Sequence, residues 1–178
     1  MRSRPGSWWV FALAMVVLVA AGTVWWAARE RARDVEVYFV RFDAAHHKGS
    51  LTAVRRPAPR GPVDTRLARA LGDLLAGPGP SGPGDEPGLV TEIPAETALL
   101  GVRVDGGIVT VNLSATYATG GGSTSMLARV WQVVYTATQF PEAPAAQILV
   151  DGRRAEALGG EGVLIGMPLR RSAAPPSF

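Results

Sequence analysis

The sequence predicts an α+β fold: two helices packed on one face of a mostly antiparallel sheet, plus one N-terminal transmembrane helix. Three observations predict it. Trp8 to Ala28 is an uninterrupted apolar run. Short segments with period-2 alternation recur between turn residues from Val35 onward. Two segments with helical spacing do not alternate strictly with those strands, which argues against a wound parallel sheet.

The apolar run has no charge and, as a helix rising about 1.5 Å per residue, spans roughly 31 Å, a bilayer core. Trp8 and Trp9 at one end and Trp25 and Trp26 at the other suit the two headgroup interfaces. A cleaved signal peptide has a shorter apolar region and a small-residue cleavage site, whereas this run leads directly into Arg29-Glu30-Arg31. Arginines flank both ends, so the charge rule does not set the orientation.

Of the net charge of +3, Arg2 and Arg4 precede the run, which leaves the remainder close to neutral. That balance excludes the positive field nucleic-acid binding requires. The absence of cysteine excludes disulfides, thiolate metal sites and cysteine nucleophiles.

Val35 to Val40 reads as a strand, Asp43 to Ser50 as a turn and Leu51 to Arg56 as the returning strand. His46 and His47 sit in that turn. As neighbours in extended chain they point apart, and no third metal ligand accompanies them. Asp64-Thr65 caps a helix to about Ala76 with Leu67, Leu71 and Leu74 on its apolar stripe, and Gly77-Pro78 stops it. Leu100, Val102 and Val104 alternate, as do Val109, Val111 and Leu113, and Asp105-Gly106-Gly107 joins them as a hairpin. Gly120-Gly121-Gly122 precedes a helix from Ser123, Thr124 or Ser125 to about Phe140. Arg129, Gln132 and Gln139 fall toward its polar side. Ala146 to Val150 is a strand, Arg153 to Ala157 returns from it, and Val163 to Met167 is a further short strand. The divisions are a tail (1–7), the transmembrane anchor (8–28), a juxtamembrane stretch (29–34), one folded domain (35–171) and a disordered tail (172–178).

Several of these segments, in this order, resemble a known family. They are Leu74-Leu75-Ala76-Gly77-Pro78, Val109 to Ser114, Tyr135-Thr136-Ala137-Thr138-Gln139-Phe140-Pro141 and Val150-Asp151-Gly152. Together they look like the GerMN domain of bacterial sporulation and spore-germination proteins, in a single copy. The resemblance covers about Val35 to Leu169. It implies a non-enzymatic, extracytoplasmic module of the cell envelope, tethered to the cytoplasmic membrane through residues 8–28. Its partners would be an envelope protein, a second copy or a cell-wall ligand. Leu18 to Thr23 is similar to a lipobox, with Thr23 where the cysteine would stand.

No nucleophile elbow or paired-carboxylate motif is present, so an envelope hydrolase would need an unrecognised site, and no cofactor is expected. The glycine loop before the second helix lacks the Gly-Lys-Ser/Thr ending of a nucleotide loop. Tyr117, Trp131 and Tyr135 read first as core aromatics, and the alternative is that they line a groove beside the glycine loop. The connection from Tyr117 to Ser125 otherwise has no clear structural reason. Tyr117, Gly120, Gly121, Gly122 and Ser123 are therefore the candidate binding residues.

Overall fold

A computed structural model of the chain describes residues 13, 15–20, 22, 34–43, 48–79, 88–159 and 162–178. It divides into a unit ending at Asp34 and a second from Val35 to Phe178. In the first unit Leu13, Met15 to Ala20 and Gly22 are helical, and their side chains are exposed. The limits of the expected anchor lie outside the described residues. Among the described residues no helix is long and apolar enough to cross a membrane. His46 and His47 also lie outside them.

The second unit is α+β, but its layers differ from those expected. In chain order it contains β1 (Asp34–Asp43), β2 (Lys48–Pro57), α1 (Val63–Leu75), β3 (Leu89–Val90), β4 (Leu99–Asp105) and β5 (Ile108–Leu113). A 3-10 turn (Ala115–Ala118), α2 (Ser123–Ala137), β6 (Ala145–Val150), β7 (Ala157–Leu158) and β8 (Val163–Leu164) follow. The strands form two three-stranded sheets, β2-β1-β3 and β4-β5-β6, and a two-stranded β7-β8. The expected single sheet with helices on one face is therefore corrected to separate sheets, while the pairing is mostly antiparallel as expected: β1–β3, β4–β5 and β7–β8 run antiparallel. β5 and β6 are parallel, with α2 as their crossover, while β4 and β5 are the antiparallel hairpin.

The hairpin also corrects one face assignment. Leu99 pairs with Leu113 and Gly101 with Asn112, so Leu100 is an extra residue in a bulge. Leu100 turns outward, 51% exposed, and Leu99 joins Val102 and Val104 against the core. A bulge shifts the alternation by one residue, which a strict period-2 reading cannot register.

α2 is buried along most of its length because it takes part in both apolar clusters of the unit, as β1 does with Val35, Val37 and Phe39 in the main core. Val130, Val133, Val134 and Ala137 join the main core with Val109, Val111 and Ile148 of β5 and β6. Ala128 and Tyr135 belong to a second apolar cluster with Tyr38, Val40 and Leu51 of β1 and β2. The reading of Arg129, Gln132 and Gln139 as a polar, outward side is overturned: the loop before α2 covers Arg129, and β1 meets Gln132 and Gln139. Arg129 is 2% exposed and Gln132 fully buried. Gln132, Thr136 and Gln139 stand at helical spacing opposite the edge of β1. The Gln139 amide accepts from the Glu36 N–H at 2.8 Å and donates to the Glu36 carbonyl at 3.0 Å. The Tyr38 N–H donates to Thr136 Oγ1 at 3.1 Å, and Gln132 Nε2 donates to the Tyr38 carbonyl at 3.1 Å. Gln132 Oε1 also takes the Glu92 N–H at 2.9 Å. Side chains thus complete a strand edge that β3 covers only at Val40 and Arg41.

Other bounds move less. α2 is capped by Gly122 rather than by a hydroxyl, and it ends at Ala137, with Thr138 Oγ1 donating to the Val134 carbonyl at 2.6 Å. Phe140 therefore lies beyond the helix, under the Arg66 guanidinium at 4.3 Å. The strand expected over Arg153 to Ala157 reduces to a bridge between Val150 and Arg153 and the short β7.

The segment 172–178, expected to be loose, lies against the domain. The Tyr135 hydroxyl meets Ser172 Oγ at 2.9 Å, and Ser177 bridges Ser50. Arg171 anchors its start, donating to Thr138 Oγ1 at 3.1 Å, to the Tyr38 hydroxyl at 3.2 Å and to the Tyr135 carbonyl.

Replacing Gln132 by Ala leaves the Tyr38 carbonyl and the Glu92 N–H without their partner. Denaturant unfolding is expected to show a loss of about 2–3 kcal/mol, against under about 1 for the exposed Thr124→Ala.

Tyr38 gives a pH dependence. Burial and the hydrogen bond to Glu36 push its phenol from 10.0 up to about 12, partly offset by Arg171. An acid whose folded pKa is raised stabilises the fold below its unfolded pKa and loses that contribution as pH rises through the folded one. Stability is therefore expected to fall between about pH 10 and about pH 12, and less steeply in Tyr38→Phe, read from unfolding midpoints across that range.

Candidate functional site

The connection between β5 and α2 begins with a polar anchor. The chain leaves β5 at Leu113, and the Ala115 N–H donates to Asp151 Oδ1 at 3.0 Å. Asp151 holds this position in the left-handed region at φ 48°, and the adjoining Gly152 N–H donates to Asn112 Oδ1 at 2.7 Å. Asn112-Leu113-Ser114 and Val150-Asp151-Gly152, distant in sequence, thus form one joint at the ends of the parallel pair. Asn112 is occupied in that joint.

The 3-10 turn then carries Tyr117 inward, fully buried. Its hydroxyl has no hydrogen-bond partner among the described residues, and burial pushes the phenol well above its usual value. The following loop wraps around Arg129. The guanidinium donates through Nη1 to the carbonyls of Tyr117 at 2.6 Å and Thr119 at 3.0 Å. Through Nη2 it donates to the Gly120 carbonyl at 3.3 Å and Ser125 Oγ at 3.5 Å. Burial lowers the Arg129 pKa from its ordinary value, opposed by Tyr117 and Glu92. A buried cation is held here by peptide dipoles.

Gly121 is required by this wrapping. It sits at φ +82°, and a Cβ there would come within 2.8 Å of Ser125 Oγ and 3.0 Å of Arg129 Nη2. The loop therefore has a structural cause that the sequence pattern did not reveal. Arg129 carries no distinguishing signal among the helix residues, because its spacing also fits a solvent-facing arginine.

Of the candidate residues, Tyr117 is core and presents only its carbonyl to the loop. Gly120, Gly121, Gly122 and Ser123 are exposed. Two depressions flank them. One, of about 310 Å³, is lined by Gly122, Ser123, Thr124, Ser125 and Ala128 together with Phe42, Glu92 and Phe178. The other, of about 250 Å³, lies between Gly121 to Ser123, Met126 and the β7-β8 turn at Leu158, Gly159 and Gly162. Phe42, Glu92 and Phe178 were not among the residues expected at the site. They come from other parts of the chain, and only the folded topology brings them to the first turn of α2.

The first turn of α2 takes no side-chain cap, and its residues Ser123, Thr124 and Ser125 line the first depression. Half-exposed aromatic surface forms the other wall. This combination suits an extended ligand with backbone-like polar groups and an apolar side chain. Among the described residues, no group of three histidines or carboxylates gathers as a metal site would require.

The same fold occurs in solved structures of bacterial proteins. The first GerMN domain of the sporulation protein GerM from Bacillus subtilis matches with a TM-score of 0.61 at 22% identity, over 78% of this chain and 97% of that one. The tandem GerMN domains of the same protein match with a TM-score of 0.62 at 19% identity. That match covers 80% of this chain and 46% of theirs, so this chain spans about half of the tandem. A Clostridium perfringens protein described as a lipoprotein matches with a TM-score of 0.53 at 22% identity, over 78% of this chain and 87% of that one. The fold is thus that of a GerMN-type domain. The Germane family, described as sporulation and spore germination, matches residues 36–156, and the chain belongs to it. Among curated proteins none matches the chain.

Removing the unpartnered Tyr117 hydroxyl should cost nothing. Tyr117→Phe is expected to be neutral or stabilising by up to about 1 kcal/mol in denaturant unfolding. A loss larger than about 1 kcal/mol would mean that the hydroxyl has a partner in the folded protein.

Proposed function

We propose that this chain is a non-enzymatic, membrane-anchored module of the bacterial envelope. Its folded part lies outside the cytoplasmic membrane and binds a further envelope component through the groove at the first turn of α2. The observation that carries the binding reading is the groove itself. It combines the uncapped first turn of α2 and its hydroxyl residues with Phe42 and Phe178, a lining suited to recognition. Membership of a sporulation and germination family and a fold neighbour described as a lipoprotein support the envelope location. The apolar run from Trp8 to Ala28 supports the anchor, and the exposed apolar side chains of Leu13 and Met15 to Val19 agree with it. Envelope proteins, a second copy and cell-wall ligands are the partner classes this reading admits.

The experiment uses the chain's lack of cysteine. A single cysteine at exposed Glu96 is expected to react with a membrane-impermeant maleimide in intact cells. A photoreactive residue at Thr124 is expected to give a discrete adduct that is absent when the groove is blocked by Ser123→Arg, an exposed position. Labelling of Glu96→Cys only after lysis would overturn the location. Adducts from Thr124 indifferent to Ser123→Arg would overturn the groove.

A further inference from the structure

We infer that the outer edge of β2 and the seat of Phe178 form a peptide-accepting site. The chain's own segment 172–178 fills it, and an extended, uncharged partner segment bearing an aromatic side chain takes its place. This rests on the binding reading above and names the partner's chemistry.

The pairing at the seat is that of an added strand. The Gly49 N–H donates to the Phe178 carbonyl at 3.1 Å, and the Phe178 N–H donates back to the Gly49 carbonyl at 3.0 Å. Ser50 and Ser177 face one another as an antiparallel bridge. The Phe178 ring packs against the cluster of Tyr38, Val40, Leu51, Ala128 and Tyr135. Gly49 makes room for it: a Cβ there would lie 3.2 Å from Phe178 Cδ2, 3.2 Å from Phe42 Cε1 and 3.3 Å from Val40 Cγ1. A strand edge plus a side-chain pocket is the recognition mode in which main-chain bonds hold a peptide and the pocket selects it.

The resident segment fits this edge incompletely. Continuing its register places Pro176 opposite Leu51, and proline has no N–H to offer the ladder. β2 nevertheless runs on to Pro57 as an edge strand. Ser172 to Pro175 and Ser177 are exposed, so little besides the ring is buried. A partner segment without proline continues the pairing past Ser50, which the resident segment cannot do. Phe178 also forms one wall of the groove at the first turn of α2, so its departure opens that groove toward β2.

The test uses the full chain in detergent micelles and a fluorescent heptapeptide with the sequence of residues 172–178. In wild type the attached segment competes at an effective concentration of roughly millimolar. Phe178→Ser is therefore expected to bind the heptapeptide at least about tenfold more tightly than wild type. Changing both prolines of the peptide to Val and Thr should tighten binding by a further factor of about ten, and changing its phenylalanine to serine should abolish it. Wild type gives a second readout. Excess proline-free peptide should speed hydrogen exchange at the Phe178 amide, which is bonded to the Gly49 carbonyl. The inference is overturned if Phe178→Ser keeps its unfolding midpoint and binds no peptide, if binding ignores the peptide's phenylalanine, or if wild-type exchange is unchanged at saturating peptide. Thr124 adducts that still depend on Ser123 would leave the groove reading standing in each of those cases.

Discussion

The side-chain ladder between α2 and β1 is the interaction on which the rest of the domain depends. Gln132, Thr136 and Gln139 present amide and hydroxyl groups at helical spacing to the alternating backbone groups of Glu36 and Tyr38. An α-helix normally cannot pair with a strand edge, because its own backbone groups are spent internally. Here three side chains do what a neighbouring strand would. The consequence is architectural: Val35, Val37 and Phe39 of β1 share the main core with β5 and β6, Tyr38 and Val40 form a second cluster with Ala128 and Tyr135, and α2 takes part in both. The bonds of Thr136 and Gln132 to Tyr38 are buried and those of Gln139 to Glu36 half-buried, so the ladder also sets register, since a shift of one residue would leave amide groups without partners.

Much of this was legible in outline. The alternation at Val109, Val111 and Leu113 and the leucine stripe of α1 placed those residues in the core, where they are found. The polar residues of α2 were misread, because period alone assigns glutamine to solvent and cannot know that a strand edge waits there. The same limitation hid Leu100, whose bulge is invisible to alternation. The segments that carried the family resemblance prove to be joints of the scaffold. Thr136 and Gln139 lock β1, Asn112 and Asp151 tie β5 to β6, and Pro78 accepts from Arg56 Nη2 at 3.0 Å. They identify the fold and say little about a ligand.

The candidate site was legible as a place and not as a mechanism. The glycine loop was recognisable because no core periodicity explained it. Its cause, Arg129 gathering three carbonyls, required the folded chain. The groove walls come from β1, from the stretch after β3 and from Phe178, three regions that no local motif connects. With Tyr117 in the core, the candidate surface is the outer side of the loop, toward Phe42 and Phe178.

The ladder between β1 and α2 also bears on how the chain is made. Glu36 and Gln139 are separated by 103 positions, and Tyr38 and Thr136 by 98. At about 5–20 residues per second, a nascent chain carries β1 for roughly 5–20 seconds before its helical partner exists. Through that interval Val35, Val37, Phe39 and Val40 lie on a strand with an open edge, the arrangement most prone to pairing with the wrong neighbour. The seconds before α2 emerges are thus the window in which this domain most needs a chaperone, and its vulnerable point is the first strand to leave the ribosome.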